Sequence, residues 1–327
     1  MDINEIARRA GVSRATVSRY LNNGYVSKEK RRLISQVIQE TGYVPSQHAQ
    51  QLRTGKTRLV GVIMPKINSQ SVSRMVEGIT DALAPHGYQA ILANTNNDER
   101  LEVNYLNLFS KKKRVDGIIL IATAFTAEHH RAIRKLKVPL VVLGQHLAEC
   151  DCVYHDDYHA LYDITKLALR NSCLPGYLGV FEQDVSAGEQ RHLGFVDACR
   201  SCGIEPLPEA QRIVGFDADT GYFGAEQILD ALPRVDTIVC ATDAIAFGAT
   251  MCMLEYGKDV PGDVQITGVG DSLLSRIARP SLTTVHIRYK TSGMEAARLL
   301  LDRIGYPSMP NREIKMSYEV LSRNSIK

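Results

Sequence analysis

The sequence lacks the features of membrane and secreted proteins. Its 327 residues contain no uninterrupted apolar run of about 20 residues, the length that a transmembrane helix needs. There is no secretory signal peptide, and the seven cysteines are an odd number that does not suit a disulfide framework. We therefore expect a reduced, cytoplasmic protein with no membrane partner.

Sequence motifs of common enzymes are missing as well. The chain contains no GxSxG nucleophile motif, no P-loop and no HExxH zinc motif. The two glycines of 268–270 lack the third glycine of a dinucleotide-binding loop. These absences predict that the protein is not an enzyme and carries no cofactor.

Cysteine and histidine spacing gives no reason to expect a metal. Two close cysteine pairs are present, Cys150 with Cys152 and Cys199 with Cys202. Neither pair is accompanied by a second ligand pair at the spacing of a zinc site, so we expect the thiols to be inert. His155 and His159 are four residues apart and could form a metal pair, but a local structural role is the preferred interpretation.

Charge is distributed unevenly along the chain. Of 39 basic and 36 acidic side chains, 11 and 4 lie in residues 1–58, which leaves 28 and 32 for residues 59–327. The first segment thus carries a balance of +7 and the remainder a balance of −4. A basic N-terminal segment on a slightly acidic body is typical of a protein that binds a polyanion such as DNA.

The segment 10–23 has the pattern of a turn followed by the second helix of a helix-turn-helix. Gly11 suits the turn, and Ser13 can cap the helix that follows. Val17 and Leu21, four residues apart, share one apolar face. Arginine and asparagine on the other faces can make bidentate contacts to guanine and adenine. The candidate DNA contacts are Ser13, Arg14, Ala15, Thr16, Ser18, Arg19 and Asn22. An amphipathic helix with a solvated polar face is the alternative.

Helical patterns flank this motif on both sides. Apolar residues of 3–10 recur at helical spacing, and Asp2 can cap that helix. A third helix is predicted over 28–41, with Ser27 as its cap and Gly42 as its C-terminal stop. We therefore expect an all-α helix-turn-helix head over residues 1–45.

The head resembles the DNA-binding domain of the LacI/GalR family of bacterial transcription regulators. The matching segments are Ile6-Ala7, Ala10-Gly11-Val12-Ser13, Thr16-Val17-Ser18-Arg19, Leu21-Asn22, Val26-Ser27, Gly42-Tyr43-Val44-Pro45 and Ala49-Gln50-Gln51-Leu52. The resemblance continues, with lower specificity, through nearly the whole chain. It implies a homodimer that binds a pseudo-palindromic operator in double-stranded DNA and responds to a small-molecule effector, usually a sugar or sugar phosphate.

The segment 46–58 is expected to link the head to the body. A helix of about two turns is too short to be stable alone in water, and the resemblance implies a hinge helix that forms only on operator DNA. In that interpretation Leu52 enters the minor groove, while Tyr43, Gln51 and Arg53 add DNA contacts. A flexible linker, with Leu52 packed on the body, is the alternative.

The body alternates strand-like apolar runs with helical segments, which predicts doubly wound α/β lobes. Strands are predicted at 59–64, 87–93, 116–121, 138–143, 177–181, 237–241 and 265–269. The resemblance implies a periplasmic-binding-protein-like body whose chain crosses between two lobes near Asp156, His286 and Ile314. The expected lobes are 59–156 plus 287–314 and 157–286 plus 315–327.

Open parallel sheets bind ligands beyond the carboxyl ends of their strands, so the effector site is expected between the lobes. By resemblance, the candidate effector-binding residues are Asn68, Ser69, Gln70, Arg191, Phe216, Asp243 and Asp271. Gly144 and Gly270 stand where the family often has aspartate. A cationic clamp of Lys66, Arg74 and Arg191 would suit a phosphate, although Arg74 is equally well explained as a surface residue.

These patterns together predict a repressor of a carbohydrate-utilisation operon whose operator affinity depends on the cleft ligand. Two alternatives are a solute-binding protein of the same body fold and a sugar-metabolising enzyme fused to a DNA-binding head. Whether the effector releases DNA or promotes binding is left open. No leucine-heptad tail follows Arg323, which favours a dimer over a tetramer.

Overall fold

The computed structural model describes residues 2–22, 24–43, 55–111 and 114–327. The chain divides into two compact units, Met1–Arg58 and Leu59–Lys327. The described part of the first unit contains helices α1 (Ile3–Arg9), α2 (Arg14–Leu21) and α3 (Lys28–Thr41). Ile6, Val17 and Ile34 are fully buried at its centre, one from each helix, so the amphipathic pattern of the sequence produces a three-helix core.

The second unit contains two parallel-type sheets, each with its own helices. The first sheet has the order β11-β5-β4-β3-β1-β2, and all its strands are parallel. Its strands are β1 (Leu59–Met64), β2 (Gln89–Asn94), β3 (Gly117–Ile121), β4 (Leu140–Leu143), β5 (Asp151–His155) and β11 (Glu313–Met316). Its helices are α4 (Gln70–Leu83), α5 (Glu99–Ser110), α6 (Ala127–Ile133) and α12 (Tyr289–Gly305).

The second sheet has the order β12-β10-β9-β8-β6-β7 and is parallel except for the antiparallel pair β10 and β12. Its strands are β6 (Pro175–Gly179), β7 (Gln211–Ile213), β8 (Thr237–Cys240), β9 (Gln265–Val269), β10 (Thr283–Ile287) and β12 (Tyr318–Leu321). Its helices are α7 (Asp157–Ala168), α8 (Arg191–Ser201), α9 (Ala218–Ala231), α10 (Asp243–Glu255) and α11 (Leu273–Ile277). The predicted doubly wound architecture is confirmed.

Strand pairing defines where the described body passes from one sheet to the other. The passages follow β5, β10 and β11, which places them at Asp156, Arg288 and Ser317. The division expected after residue 314 falls inside β11, because 313–316 pair in register with 152–155 of β5. We propose that the two lobes are bounded at these three passages.

Close helix packing completes the first lobe. A Cβ atom on Gly78 of α4 would lie 1.9 Å from the Lys290 carbonyl oxygen of α12, and one on Gly293 would lie 2.0 Å from the Met75 carbonyl oxygen. Only glycine permits this approach of the two backbones. The packed pair α4–α12 therefore fixes the loop that precedes α4, which forms part of the site described next.

Candidate functional site

Helix α2 presents a polar face to solvent. Gly11 has a φ of 63°, a left-handed conformation that suits glycine, and it turns the chain between α1 and α2. Oγ of Ser13 accepts the Thr16 N–H at 3.2 Å and so caps α2. Val17 is buried, which orients the other side of the helix outward. Ser13, Arg14, Ala15, Arg19 and Asn22 are exposed, whereas Thr16 and Ser18 are half-buried.

The charge on this face belongs to two arginines. Within the described part of the first unit, the ion pairs join Glu5 to Arg8 and Arg9. Arg14 and Arg19 take part in neither of these ion pairs. Both guanidinium groups can therefore reach a phosphate or a base edge. The remaining candidates are placed differently: Tyr43 is half-buried against the three-helix core, and Gln51, Leu52 and Arg53 lie outside the described residues.

A cavity of about 640 Å³ lies between the two lobes, at the carboxyl ends of both sheets. Loops after β1, β3 and β4 line it from one side, and loops after β8 and β9 line it from the other. Six of the seven predicted effector residues line this cleft: Asn68, Ser69, Gln70, Arg191, Phe216 and Asp243. Its size and mixed polar and aromatic lining suit a small polar molecule.

Arg191 forms a buried ion pair at the base of the cleft. Its side chain is 6% exposed, and its Nη2 lies 2.6 Å from Oδ1 of Asp157, which is 2% exposed. Nη1 donates to the Ala241 carbonyl. Burial opposes the charge of the guanidinium, but Asp157 and Tyr289 outweigh this effect and raise the pKa of Arg191. Arg191 is therefore held rigidly as a cation, with its charge largely balanced within the protein.

The first lobe contributes short polar side chains at the start of α4. Oγ of Ser69 caps that helix by accepting the Val72 N–H at 3.5 Å. Oε1 of Gln70 accepts the Leu273 N–H of the second lobe at 3.3 Å. Both side chains thus have structural partners as well as a place in the cleft, and Gln70 spans the two lobes.

Asp243 begins α10 and is almost fully buried. Its Oδ2 accepts a hydrogen bond from the Ser272 N–H at 2.6 Å, and its Oδ1 accepts one from the Thr284 hydroxyl. The carboxylate therefore ties the loop after β9 to α10 while it lines the cleft.

The prediction for Asp271 requires correction, because its carboxylate does not line the cleft. Asp271 has a φ of 47°, and its carboxylate turns to Arg276, Arg323 and His286. Burial opposes the charge of Asp271, but hydrogen bonds from these three side chains outweigh it and hold the pKa below its usual value. Asp271 joins the end of β9 to α11, β10 and the C-terminal segment, which is a structural role.

The three cations considered as a phosphate clamp do not act together. Arg74 donates through Nη1 to the Gly270 carbonyl at 2.8 Å and lies 5.4 Å from the ring centroid of Tyr289. Arg191 is paired with Asp157. Lys66 lies 6.0 Å from the ring centroid of Phe216. Of the three cations, Lys66 is therefore the one available to contact a ligand, and the three charges do not converge on one point.

His155, which the sequence did not indicate as an effector contact, forms part of the cleft wall at the end of β5. Its Nε2 is buried and has no hydrogen-bond partner among the described residues. Burial lowers the pKa of His155 to about 4, so the ring is neutral near pH 7. A neutral imidazole can donate or accept one hydrogen bond to a ligand hydroxyl. His159 points elsewhere, with Nδ1 2.9 Å from Oδ1 of Asp156.

A second group that the sequence did not indicate joins the lobes across the cleft. Nε2 of Gln145, in the first lobe, donates to Oδ1 of Asp184 at 2.7 Å. Oγ of Ser186 lies 2.8 Å from the Gly144 carbonyl oxygen and 3.0 Å from Oε1 of Gln145. Burial raises the pKa of Asp184 to about 6. We call Gln145, Asp184 and Ser186 the interlobe latch, because they hold the lobes together at one side of the cavity.

Comparison with known proteins identifies the family of this chain. Residues 2–46 match the model of bacterial regulatory proteins of the lacI family, and residues 175–326 match the periplasmic binding protein-like domain. The sucrose operon repressor of Staphylococcus xylosus is 32% identical over 322 residues, which cover 97% of this chain and 99% of that protein. The chain belongs to the LacI family. LacI-family proteins are transcriptional regulators rather than enzymes, and this chain is a DNA-binding transcriptional regulator.

Solved structures of the LacI family share both units. A complex of the transcriptional regulator CelR with cellobiose has a TM-score of 0.77 at 26% identity, with 99% of each chain covered. A lac repressor dimer bound to operator and the anti-inducer ONPF has a TM-score of 0.90 at 20% identity, with 99% and 98% covered, a likeness that concerns the fold. Within the described residues, no helix is long and apolar enough to span a membrane.

Proposed function

We propose that this LacI-family protein represses a carbohydrate-utilisation operon and that an uncharged sugar in the interlobe cleft sets its operator affinity. The observation that carries the proposal is the cleft itself. Asn68 and Ser69, with amide and hydroxyl groups, and the aromatic Phe216 all line a cavity of about 640 Å³. A sugar has hydroxyl groups around an apolar ring face. A site with polar side chains and an aromatic ring can contact both parts.

The charges of the cleft favour a sugar over a sugar phosphate. Arg191 is neutralised by Asp157, and Arg74 is engaged by a backbone carbonyl. The carboxyl groups of Asp217 and Asp243 also line the cavity. A phosphate would meet one ammonium group, that of Lys66, together with these carboxylates, whereas a neutral polyol can donate its hydroxyls to them.

The names of two similar proteins agree with this ligand class. The sucrose operon repressor is named for a sugar operon, and the CelR structure contains cellobiose. We carry the class over to this chain, and the cavity accommodates a molecule of that size.

A second copy of the chain is the partner proposed for the apolar surface of the second lobe. Phe223 of α9, Met251 and Leu254 of α10, and Leu273 and Ile277 of α11 are between 40% and 63% exposed. Helices α9 and α11 both contact α10, and exposed apolar side chains on neighbouring helices favour an association surface. A homodimer places two helix-turn-helix heads on two half-sites about one helical turn apart, which is the geometry of a pseudo-palindrome.

Three further statements complete the proposal. Arg14, Arg19 and the other exposed residues of α2 read the operator. The segment 46–58 transmits the state of the cleft, because it links the helix-turn-helix head to the body. The protein acts in the cytoplasm, where the bacterial chromosome lies. It binds the sugar without converting it.

A thermal-shift screen of mono- and disaccharides and their phosphates tests the ligand class. A ligand at 100 times its dissociation constant stabilises the folded protein by about 2.7 kcal/mol, so we expect a sugar to raise the melting temperature. Asn68→Ala should abolish that shift. Asn107→Ala, on the exposed surface of α5, should retain it. A response to sugar phosphates alone would overturn the proposed class, and turnover of the bound sugar would indicate an enzyme.

A further inference from the structure

Three side chains with metal-binding atoms meet on the first lobe, outside the cleft lining. Each of His146, Cys152 and Glu313 offers one ligand atom, and the three atoms lie within 4.8 Å of one another. Nε2 of His146 is 3.1 Å from Oε1 of Glu313. We propose that His146, Cys152 and Glu313 bind a zinc ion, with the fourth coordination position open to water.

The fold holds the three ligands on separately anchored segments. Cys152 of β5 and Glu313 of β11 are register partners in adjacent parallel strands, about 4.8 Å apart. His146 follows β4, and its ring lies 5.1 Å from the ring of Tyr154, with an angle of 66° between the planes. The strand pairing and this ring contact limit how far the ligand atoms can separate.

The donor set is one that zinc prefers. Histidine nitrogen, cysteine sulfur and carboxylate oxygen all bind zinc at about 2.0–2.3 Å, which places tetrahedral ligand atoms about 3.5 Å apart. The observed separations require only small side-chain movements to reach that value. Since the His146 and Glu313 side chains are roughly half exposed while Cys152 is fully buried, the ion can enter from the solvent side.

The groups around the three residues leave them available to a metal ion. Burial raises the pKa of the Cys152 thiol, so a zinc ion must displace the thiol proton when it binds. Lys315, two residues after Glu313, pairs instead with Asp156 at 2.9 Å and does not compete for the Glu313 carboxylate. When the zinc–sulfur bond forms, the Cys152 proton leaves to solvent, so the step needs no other reactant.

A surface ion pair between His146 and Glu313 is the simpler explanation of two of the three residues. It does not account for the thiol beneath them. His159 and Asp156 form a comparable exposed pair, with Nδ1 2.9 Å from Oδ1, and they provide a matched control that leaves the three proposed ligands in place.

The test uses the untagged full-length protein, stripped of metal and titrated with Zn²⁺ and with Co²⁺ in separate experiments. We expect one zinc per chain, a higher melting temperature with zinc, and a sulfur-to-cobalt charge-transfer band in the near ultraviolet. His146→Ala and Glu313→Gln change exposed side chains and should each weaken zinc binding by about tenfold or more. His159→Ala should bind zinc as the wild type does.

The cobalt band identifies the sulfur. Cys152→Ser should remove the band, and Cys173→Ser, which changes an exposed cysteine, should retain it. The proposal is overturned if the wild-type protein gives no cobalt–thiolate band. It is equally overturned if the band depends on Cys173, or if His146→Ala binds zinc as tightly as the wild type.

Discussion

The buried pair of Arg191 and Asp157 gives the sharpest prediction for the stability of the body. Replacing Arg191 with methionine keeps much of the side-chain volume but leaves the Asp157 carboxylate, 2% exposed, without its counter-charge. An uncompensated buried charge costs about 3–5 kcal/mol. We therefore expect Arg191→Met to lower the free energy of unfolding of the body by about that amount.

Two further variants separate this effect from a general cost of mutating α8. Arg200→Met, on the same helix, removes an arginine that pairs with Glu205 at the surface, where both side chains are more than half exposed. It should leave the unfolding free energy nearly unchanged. Arg191→Met combined with Asp157→Asn removes both charges and should be more stable than Arg191→Met alone.

Urea unfolding followed by circular dichroism is the appropriate assay, because the chain contains no tryptophan. The body transition is the one to analyse, since the two units can unfold separately. Equal effects of Arg191→Met and Arg200→Met would refute the argument that burial makes the first pair different. An Asp157→Asn change that further destabilises Arg191→Met would also refute it.

Three other predictions address the latch, the head and the dimer. Burial raises the pKa of Asp184 from 3.8 to about 6, so the folded state holds the Asp184 proton more tightly than the unfolded state does. The unfolding free energy of the wild type should therefore decrease as the pH rises from about 3.8 to about 6. Asp184→Asn should lack that decrease and be more stable than the wild type at pH 7.5, and a constant difference from pH 3 to 8 would contradict this. Arg14→Ala should weaken operator binding and, if Arg14 contacts a base, relax discrimination at one base pair by about 1–3 kcal/mol, as measured by fluorescence anisotropy. Met251→Glu places a charge in the apolar surface of the second lobe and should produce monomers in analytical ultracentrifugation, and an unchanged dimer would contradict the assigned interface.

The sequence predicted the parts of the fold that depend on local physics. Helix α3 occupies the predicted residues 28–41, because a cap position, an apolar stripe and Gly42 are all local signals. Strands β1 and β9 also occupy the predicted residues; β1 is a continuous apolar run, and both strands are buried on two faces.

Strands that depend on long-range pairing were not predicted. β7 has three residues and none is fully buried, and β12 is a partly exposed edge strand that pairs antiparallel with β10. Neither has an apolar run that single-sequence patterns can detect. The passage expected at Ile314 was displaced for the same reason, because the pairing of β11 with β5 is invisible in the sequence.

The ligand cleft was predictable in position but only partly in its residues. Their positions just past strands indicated Asn68 and Asp243 as cleft residues, and the family resemblance indicated Arg191. Asp271 has the same sequence context, yet Arg323, 52 residues later, draws its carboxylate away from the cleft. His155 lines the cleft because β5 ends there, and β5 itself was not predicted.

Operator affinity with and without the cleft sugar tests the central claim most directly. The duplex is a pseudo-palindrome selected by the protein from a random library, and the sugar is the one that raises the melting temperature. We predict that saturating sugar changes the dissociation constant for this duplex by about 5- to 150-fold, in either direction. We also predict that binding to a scrambled duplex stays weak. A dissociation constant that is the same with and without sugar would contradict the account, as would equal affinity for the selected and scrambled duplexes at physiological salt.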